Sequence, residues 1–168
     1  MSEIIIPLKG TTRQGQEFDF SLDDGFLDGF GRDILEGQEC KAHVVVRHRG
    51  DWVEVPLQIT GRVKVLCDRC LEEMFLPVSV DETLSVRFDA EPEDVVEDDD
   101  NVIILREGTP ELDLSQTLYD LVCVSVPMCR VHPEGECNPE AIARLSREED
   151  AAAAGGNTPF LGLKDLLN

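Results

Sequence analysis

Apolar and polar residues alternate with a period of two through the middle of the chain. From Val53 to Val65 the odd positions are Val, Val, Leu, Ile, Gly, Val and Val, and the even positions from Glu54 to Lys64 are Glu, Pro, Gln, Thr, Arg and Lys. That pattern predicts a strand with one buried face. From Leu76 to Phe88 the even positions are Leu, Val, Val, Glu, Leu, Val and Phe, which predicts a second strand spoiled only at Glu82. Ala42, Val44 and Val46 mark one face of a third, ending near Arg49.

The turns between these runs fix a register. Gly50-Asp51 is a two-residue hairpin signal. Pairing Arg49 with Trp52 sets Val46 against Val55 and Val44 against Leu57. Pairing Leu66 with Phe75 sets Val63 against Val78 and Val65 against Leu76. A one-residue slip would expose both apolar faces. The expectation is an antiparallel meander over 41–49, 52–66 and 75–88, with a bulge or broken pairing at Pro56, which has no N–H for the ladder. Weaker signals flank it. Ile4 to Leu8 and Val102 to Leu105 each suit a short strand, and Phe18, Phe20 and Leu22 alternate. Gly25, Gly29, Gly31 and Gly37 predict a loop-rich stretch.

Beyond residue 110 the period lengthens. Leu114, Leu118, Leu121 and Val122 fall on one helical face, with Asp113 as the expected N-cap and Pro127 beyond the end, so a helix over about 113–125 should pack on the sheet. Asn138-Pro139 predicts the start of another helix running to about Glu149. Ala151 to Asn157 reads as a linker, and Thr158 opens a tail containing Phe160, Leu161, Leu163, Leu166 and Leu167. The fold class expected is α+β: an antiparallel meander or partly closed, barrel-like sheet with a packed C-terminal helix and a helical tail. Residues 1–150 are expected as a single domain and 151–168 as a flexible linker with a short apolar tail.

Charge changes the picture. The chain of 168 residues has a formal net charge of −20. Whole-surface binding to nucleic acid is disfavoured by that sign. Eight of the acids fall among the twelve residues 89–100, a run that reads as a solvated loop. Residues 41–70 run the other way, at +3, against −23 for the remainder. The plainer account of these bases is a cross-strand ion-pair ladder around Arg47, Glu54 and Arg87. The sharper one is an RNA-facing stripe through Arg49, Arg62, Lys64 and Arg69. No apolar run reaches the ~20 residues of a membrane span, and Met1-Ser2-Glu3 lacks the basic start of an export signal. A cytoplasmic protein with reduced thiols is the expectation.

Cys67-Asp68-Arg69-Cys70 sits at the corner between two predicted strands. Two thiolates so spaced can hold one tetrahedral metal, and Cys129, His132 and Cys137 offer further ligands. Ordinary reduced thiols remain an alternative. A redox pair is the weaker third, because such a motif normally opens a helix in a βαβ unit. Cys40 and Cys123 read as structural, and His43 and His48 as solvated. No nucleophile–base–orienter set or phosphate loop is recognisable, so an enzyme is not expected.

The order of these features resembles a known family. Val65-Leu66-Cys67-Asp68-Arg69-Cys70-Leu71 precedes an acidic loop, Asp113-Leu114 opens a helix leading to Val126-Pro127, and Cys129 to Cys137 follows. Asn157-Thr158-Pro159-Phe160 opens the leucine-rich tail. Over roughly residues 40–168 this resembles the bacterial and plastid YceD-like family of large ribosomal RNA subunit accumulation proteins. The resemblance implies a non-enzymatic ribosome-biogenesis factor supporting synthesis, processing or stability of 23S ribosomal RNA. Its implied partner is the 23S precursor or a large-subunit ribosomal protein. The alternatives are an acidic adaptor for a basic protein and a thiol redox protein. Members that keep a histidine and one cysteine after the helix match His132 and Cys137; the corner spacing and this second ligand-rich loop together make zinc on Cys67, Cys70, His132 and Cys137, with Cys129 in reserve, the expectation.

Overall fold

The computed structural model describes residues 4–10, 13–30, 36–91 and 101–154. Strands β1 (Ile5–Pro7) and β2 (Gln16–Leu22) precede a short helix, α1 (Asp24–Asp28). Then come β3 (Glu36–His48), β4 (Trp52–Leu66), β5 (Glu73–Asp89), β6 (Val102–Arg106) and β7 (Glu111–Asp113). Helices α2 (Ser115–Ser125) and α3 (Pro139–Ala154) close the described chain. Five strands form one sheet in the order β2-β3-β4-β5-β6, and β1 pairs with β7 in a second, antiparallel sheet.

The β3–β4 hairpin has the expected register. Arg49 N–H donates to the Trp52 carbonyl at 2.9 Å across the turn, where Gly50 takes a φ of +95°. Val44 faces Leu57 and Arg47 faces Glu54. These two pairs share one offset, so there is no bulge at Pro56, but the ladder is interrupted between them, at Val45–Val46 opposite Val55–Pro56, which is the broken pairing expected there. Val46 and Val55, beside that step, are both fully buried. The register shift falls elsewhere, between Gln38 and Lys41, opposite the Thr60–Arg62 step of β4 that contains Gly61. A glycine there lets the bulged strand approach closely. The alternation predicts burial well: Val53, Val55, Leu57, Ile59, Val63 and Val65 of β4 are buried, as are Met74, Val78, Leu84 and Val86 of β5.

Three expectations need correction. The sheet is open, with β2 and β6 as its end strands, so it is not a closing barrel. It is also mixed, because β6 runs parallel to β5, with Ser85 facing Val102 and Phe88 facing Leu105. A hairpin connection cannot give that direction. The glycine-punctuated stretch contains α1, capped by Asp23 through Phe26 N–H at 3.0 Å, and the start of β3. Phe26 and Leu27 are buried where α1 meets β2 and β3.

Helix α2 begins one residue later than expected. Leu114 is the cap residue, and Asp113 ends β7 while its Oδ1 accepts Ser115 N–H at 2.8 Å. Burial of Leu114 sets the entry. Leu114 N–H donates to the Ile4 carbonyl at 3.0 Å, and Ile4 N–H to Ser115 Oγ at 2.8 Å. Leu118, Tyr119 and Val122 are buried, Leu121 is half-buried, and the Tyr119 ring stacks on Phe30 at 4.4 Å. Cys40 is buried, its thiol raised by that burial, and donates to the Arg62 carbonyl. No helix among the described residues is long and apolar enough to cross a membrane.

Among the described residues, those of 4–65 with 75–128 form one compact unit, and those of 66–74 with 129–154 form another. In the second unit α3 starts as expected. Asn138 Oδ1 accepts Glu140 N–H at 2.8 Å. The helix continues past Glu149 to Ala154. The alanines 151–154 have the highest helix propensity of any residue, which explains the extension. The apolar tail and most of the acidic run lie outside the described residues.

Candidate metal centre

Where β4 ends, the chain turns within six residues. Cys67 N–H donates to the Glu72 carbonyl at 2.8 Å, and Leu71 N–H donates to the Cys67 carbonyl at 2.9 Å. The turn needs a left-handed residue after the second cysteine, and Leu71 supplies it with a φ of +61°. Both thiols of Cys67 and Cys70 consequently face inward and are buried. That conformation costs a residue with a β-carbon about 1–2 kcal/mol, whereas glycine loses only about 0.5–1 kcal/mol in chain freedom. The Leu71 side chain is 73% exposed and contributes little packing. Leu71→Gly should therefore raise the stability of the protein by up to about 1 kcal/mol, and Leu71→Val should lower it. Chemical denaturation of the two variants beside the parent checks this, and a stable Leu71→Val would contradict it.

The second ligand segment is latched onto this turn by Asp68. Its N–H donates to the Arg130 carbonyl at 2.7 Å, and its carboxylate accepts the Arg130 N–H at 2.7 Å and the guanidinium at 2.9 Å. Those donors hold the Asp68 carboxyl below its usual range, the Arg130 backbone N–H contributing most and its guanidinium next. Asn138 Nδ2 adds a bond to Glu72 Oε1. Between the latches the chain reverses at Gly135, with a φ of +87°, and Glu136 N–H donates to the Pro133 carbonyl. This turn presents His132 and Cys137 to the two buried thiols.

The four ligand atoms of Cys67, Cys70, His132 and Cys137 lie within 4.8 Å of one another. Cys67 Sγ is 3.9 Å from Cys137 Sγ. His132 Nδ1 is 3.4 Å from Cys70 Sγ and 4.0 Å from Cys137 Sγ. A zinc tetrahedron has edges of about 3.8 Å between sulfurs and about 3.6 Å between sulfur and nitrogen, given its bond lengths. The three distances just given lie within about 0.4 Å of those edges, and three thiols with one imidazole form a donor set that suits zinc. Four protein ligands leave no open position, which is the pattern of structural sites rather than catalytic ones.

The electrostatics agree. Burial alone would push the Cys67 thiol up, but the N–H groups of Cys70, His132 and Arg69 directed at it prevail and bring it down to about 5. His132 is raised, chiefly by its bond to Cys67 and against its own desolvation. Cys137 is raised, first by desolvation and then by its thiol neighbours. A thiolate beside a proton-holding imidazole marks a place where a cation replaces protons.

Cys129, the reserve ligand, is exposed and outside the cluster. The basic residues are divided. Arg49 is engaged with Glu54, at 2.6 Å, and Glu54 also meets Arg47 at 3.8 Å. Arg62 lies over the ring of Phe75, 5.1 Å from its centroid, and Lys64 follows on the same strand face. Arg69 belongs to the second unit, at the edge of a cavity of about 390 Å³. Sequence reasoning missed the Asp68–Arg130 latch, and it missed the contact of His43 Nδ1 with Asp19 at 2.8 Å. The latter was within reach, since it needed only the pairing of β2 with β3, which sets Asp19 opposite His43.

Residues 55–167 match the family described as large ribosomal RNA subunit accumulation protein YceD. The match takes in both ligand segments. No curated protein and no solved structure matches the chain. On the family match, the chain belongs to the YceD family.

Proposed function

With YceD-family membership as the premise, we propose that this protein is a non-enzymatic, cytoplasmic ribosome-biogenesis factor of bacterial type. It supports synthesis, processing or stability of 23S ribosomal RNA, and its Cys67, Cys70, His132 and Cys137 hold a structural zinc. The family match carries the functional reading, and the gathering of the four ligand atoms within 4.8 Å of one another supports the metal. The zinc orders the second unit and takes no part in chemistry. The precursor RNA is contacted through the basic residues Arg49, Arg62, Lys64 and Arg69.

Depletion should lower 23S relative to 16S ribosomal RNA and let large-subunit precursors accumulate, read by gel or sequencing of total RNA. At the residue level, alanine at Arg62, Lys64 or Arg69 takes one positive charge away from a phosphate. Each such substitution should reduce the salt slope of RNA binding by about 0.7–0.9. Amide replacement of the carboxylates in 89–100 should leave that slope alone. The opposite result, with association abolished through the acidic run and kept without the bases, would make a basic large-subunit protein the partner, for which a charge of −20 favours rapid encounter. An unchanged 23S to 16S ratio would refute the biogenesis role.

A further inference from the structure

The three thiols of the cluster differ in access. Cys67 is completely buried and Cys70 nearly so, whereas Cys137 is half-buried. The cavity of about 390 Å³ opens at Cys137, between Arg69, Gly135, Pro139, Ile142 and Ala143. Of the three thiols of the cluster, Cys137 is therefore the most accessible to a small polar oxidant. The Cys67 sulfur waits 3.9 Å away. A disulfide requires about 2.05 Å between sulfurs. Cys137 follows the Pro133–Glu136 turn, and closing the gap requires a movement of about 1.9 Å between the two sulfurs.

Building on the zinc reading above, we propose that the site is a peroxide-responsive switch in which Cys137 is oxidised first and Cys67 completes a Cys67–Cys137 disulfide, expelling zinc. The Cys137 thiolate, held deprotonated as a ligand of the proposed zinc, attacks one oxygen of hydrogen peroxide. The O–O bond breaks, hydroxide leaves, and Cys137 becomes a sulfenic acid. The Cys67 thiolate then attacks that sulfur, the S–O bond breaks, and a second hydroxide leaves. Two thiolates have given up two electrons and peroxide has taken them. Zinc is left with two of its four ligands, and Cys70 with His132 is too small a set to retain it.

The exchange has a structural consequence particular to this pair. Cys67 and Cys137 lie on the two segments that the metal joins, so the disulfide keeps them joined after zinc has gone. A Cys67–Cys70 bond would instead close within one turn and release the 129–137 segment. Cys129 is exposed and outside the cluster, and is a bystander.

The test starts with metal analysis of the full chain purified without chelator, followed by hydrogen peroxide in the presence of a zinc-sensing dye. Zinc should be released in step with one disulfide per chain, and peptide mapping should recover Cys67 linked to Cys137. Thiol reductant with added zinc should restore the starting form, and Cys129→Ser should behave as the parent. Cys137→Ser should abolish the cross-link. Should that variant fail to load zinc, mapping of the parent decides alone. Zinc retained against excess peroxide overturns the switch and leaves the zinc reading standing. A Cys67–Cys70 cross-link, or one through Cys129, overturns the order of attack. A chain that holds no zinc at the outset overturns both, and the first measurement identifies that case.

Discussion

On the proposed zinc reading, a chelator should unfold the second unit while the sheet of the first survives. The reason is the shortage of anything else to hold it. Of the buried apolar side chains among the described residues, only Cys67, Cys70 and Met74 belong to residues 66–74 and 129–154. Scaffolds of this size need a staple such as a metal, because their apolar burial barely offsets the entropy of ordering. Structural zinc supplies an apparent ~10–16 kcal/mol in small zinc domains, far more than the Asp68–Arg130 latch can. Helix α3 is the reporter. Its Ile142 is half-buried and its Leu145 exposed, so its packing contributes little to keeping it folded. Chelation, or Cys70→Ser, should remove the helical circular-dichroism signal of α3 and open 129–154 to protease. Restoring zinc should recover both for the parent alone. Cys129→Ser should match the parent throughout. Unchanged spectra and proteolysis after metal removal would show that the cluster is a set of ordinary thiols.

The outcome also bears on what the amino-acid pattern could reveal. The β3–β4 register was legible because two independent constraints agreed, the Gly50 turn and the odd–even burial of Val44, Val46, Val55 and Leu57. The direction of β6 was not. Val102 to Leu105 is uniformly half-buried, so it carries no alternation, and nothing local says which way such a run pairs. The ligands themselves were legible as residue types at zinc spacing. Choosing among Cys129, His132 and Cys137 was not a matter of spacing, since Cys129 and His132 stand at a favourable interval. Arg130 decides it by giving both its backbone N–H and carbonyl to Asp68, a contact between residues 62 positions apart. With Arg130 fixed, the downstream turn at Gly135 delivers Cys137, and Cys129 remains outside. Helix α2 shows the smaller error of the same kind: a capping aspartate was foreseen, but burial of Leu114 moved the entry by one residue.

Helix α2 provides the second large effect. Leu118→Ala should cost the first unit about 2–5 kcal/mol, the range for emptying a packed leucine site. Leu118 is 0% exposed and lies between buried Leu114 and Val122 on the same helix stripe. Its neighbour Tyr119 is held by stacking on Phe30, which leaves the surrounding side chains little room to collapse into the cavity. Leu121→Ala removes the same atoms from a half-buried position, and its cost should fall below that of Leu118→Ala. Val124→Ala, at a site 83% exposed, should change stability by less than about 0.5 kcal/mol. Urea unfolding of the zinc-loaded protein reads the series. With a slope of about 1–3 kcal/mol per molar, a loss of about 2–5 kcal/mol at Leu118→Ala should lower the midpoint by roughly 0.7–5 M. The slope should stay constant, since the unfolded surface is unchanged. The reporter must belong to the first unit, and the Trp52 fluorescence serves because Trp52 opens β4 and is the chain's single tryptophan. Equal costs at Leu118 and Leu121 would mean that the helix presents a different face to the core. A normal loss at Leu118 in protein whose α3 signal has been removed by chelation would show that the two units keep separate cores, with apolar packing holding the sheet and the metal holding the knuckle.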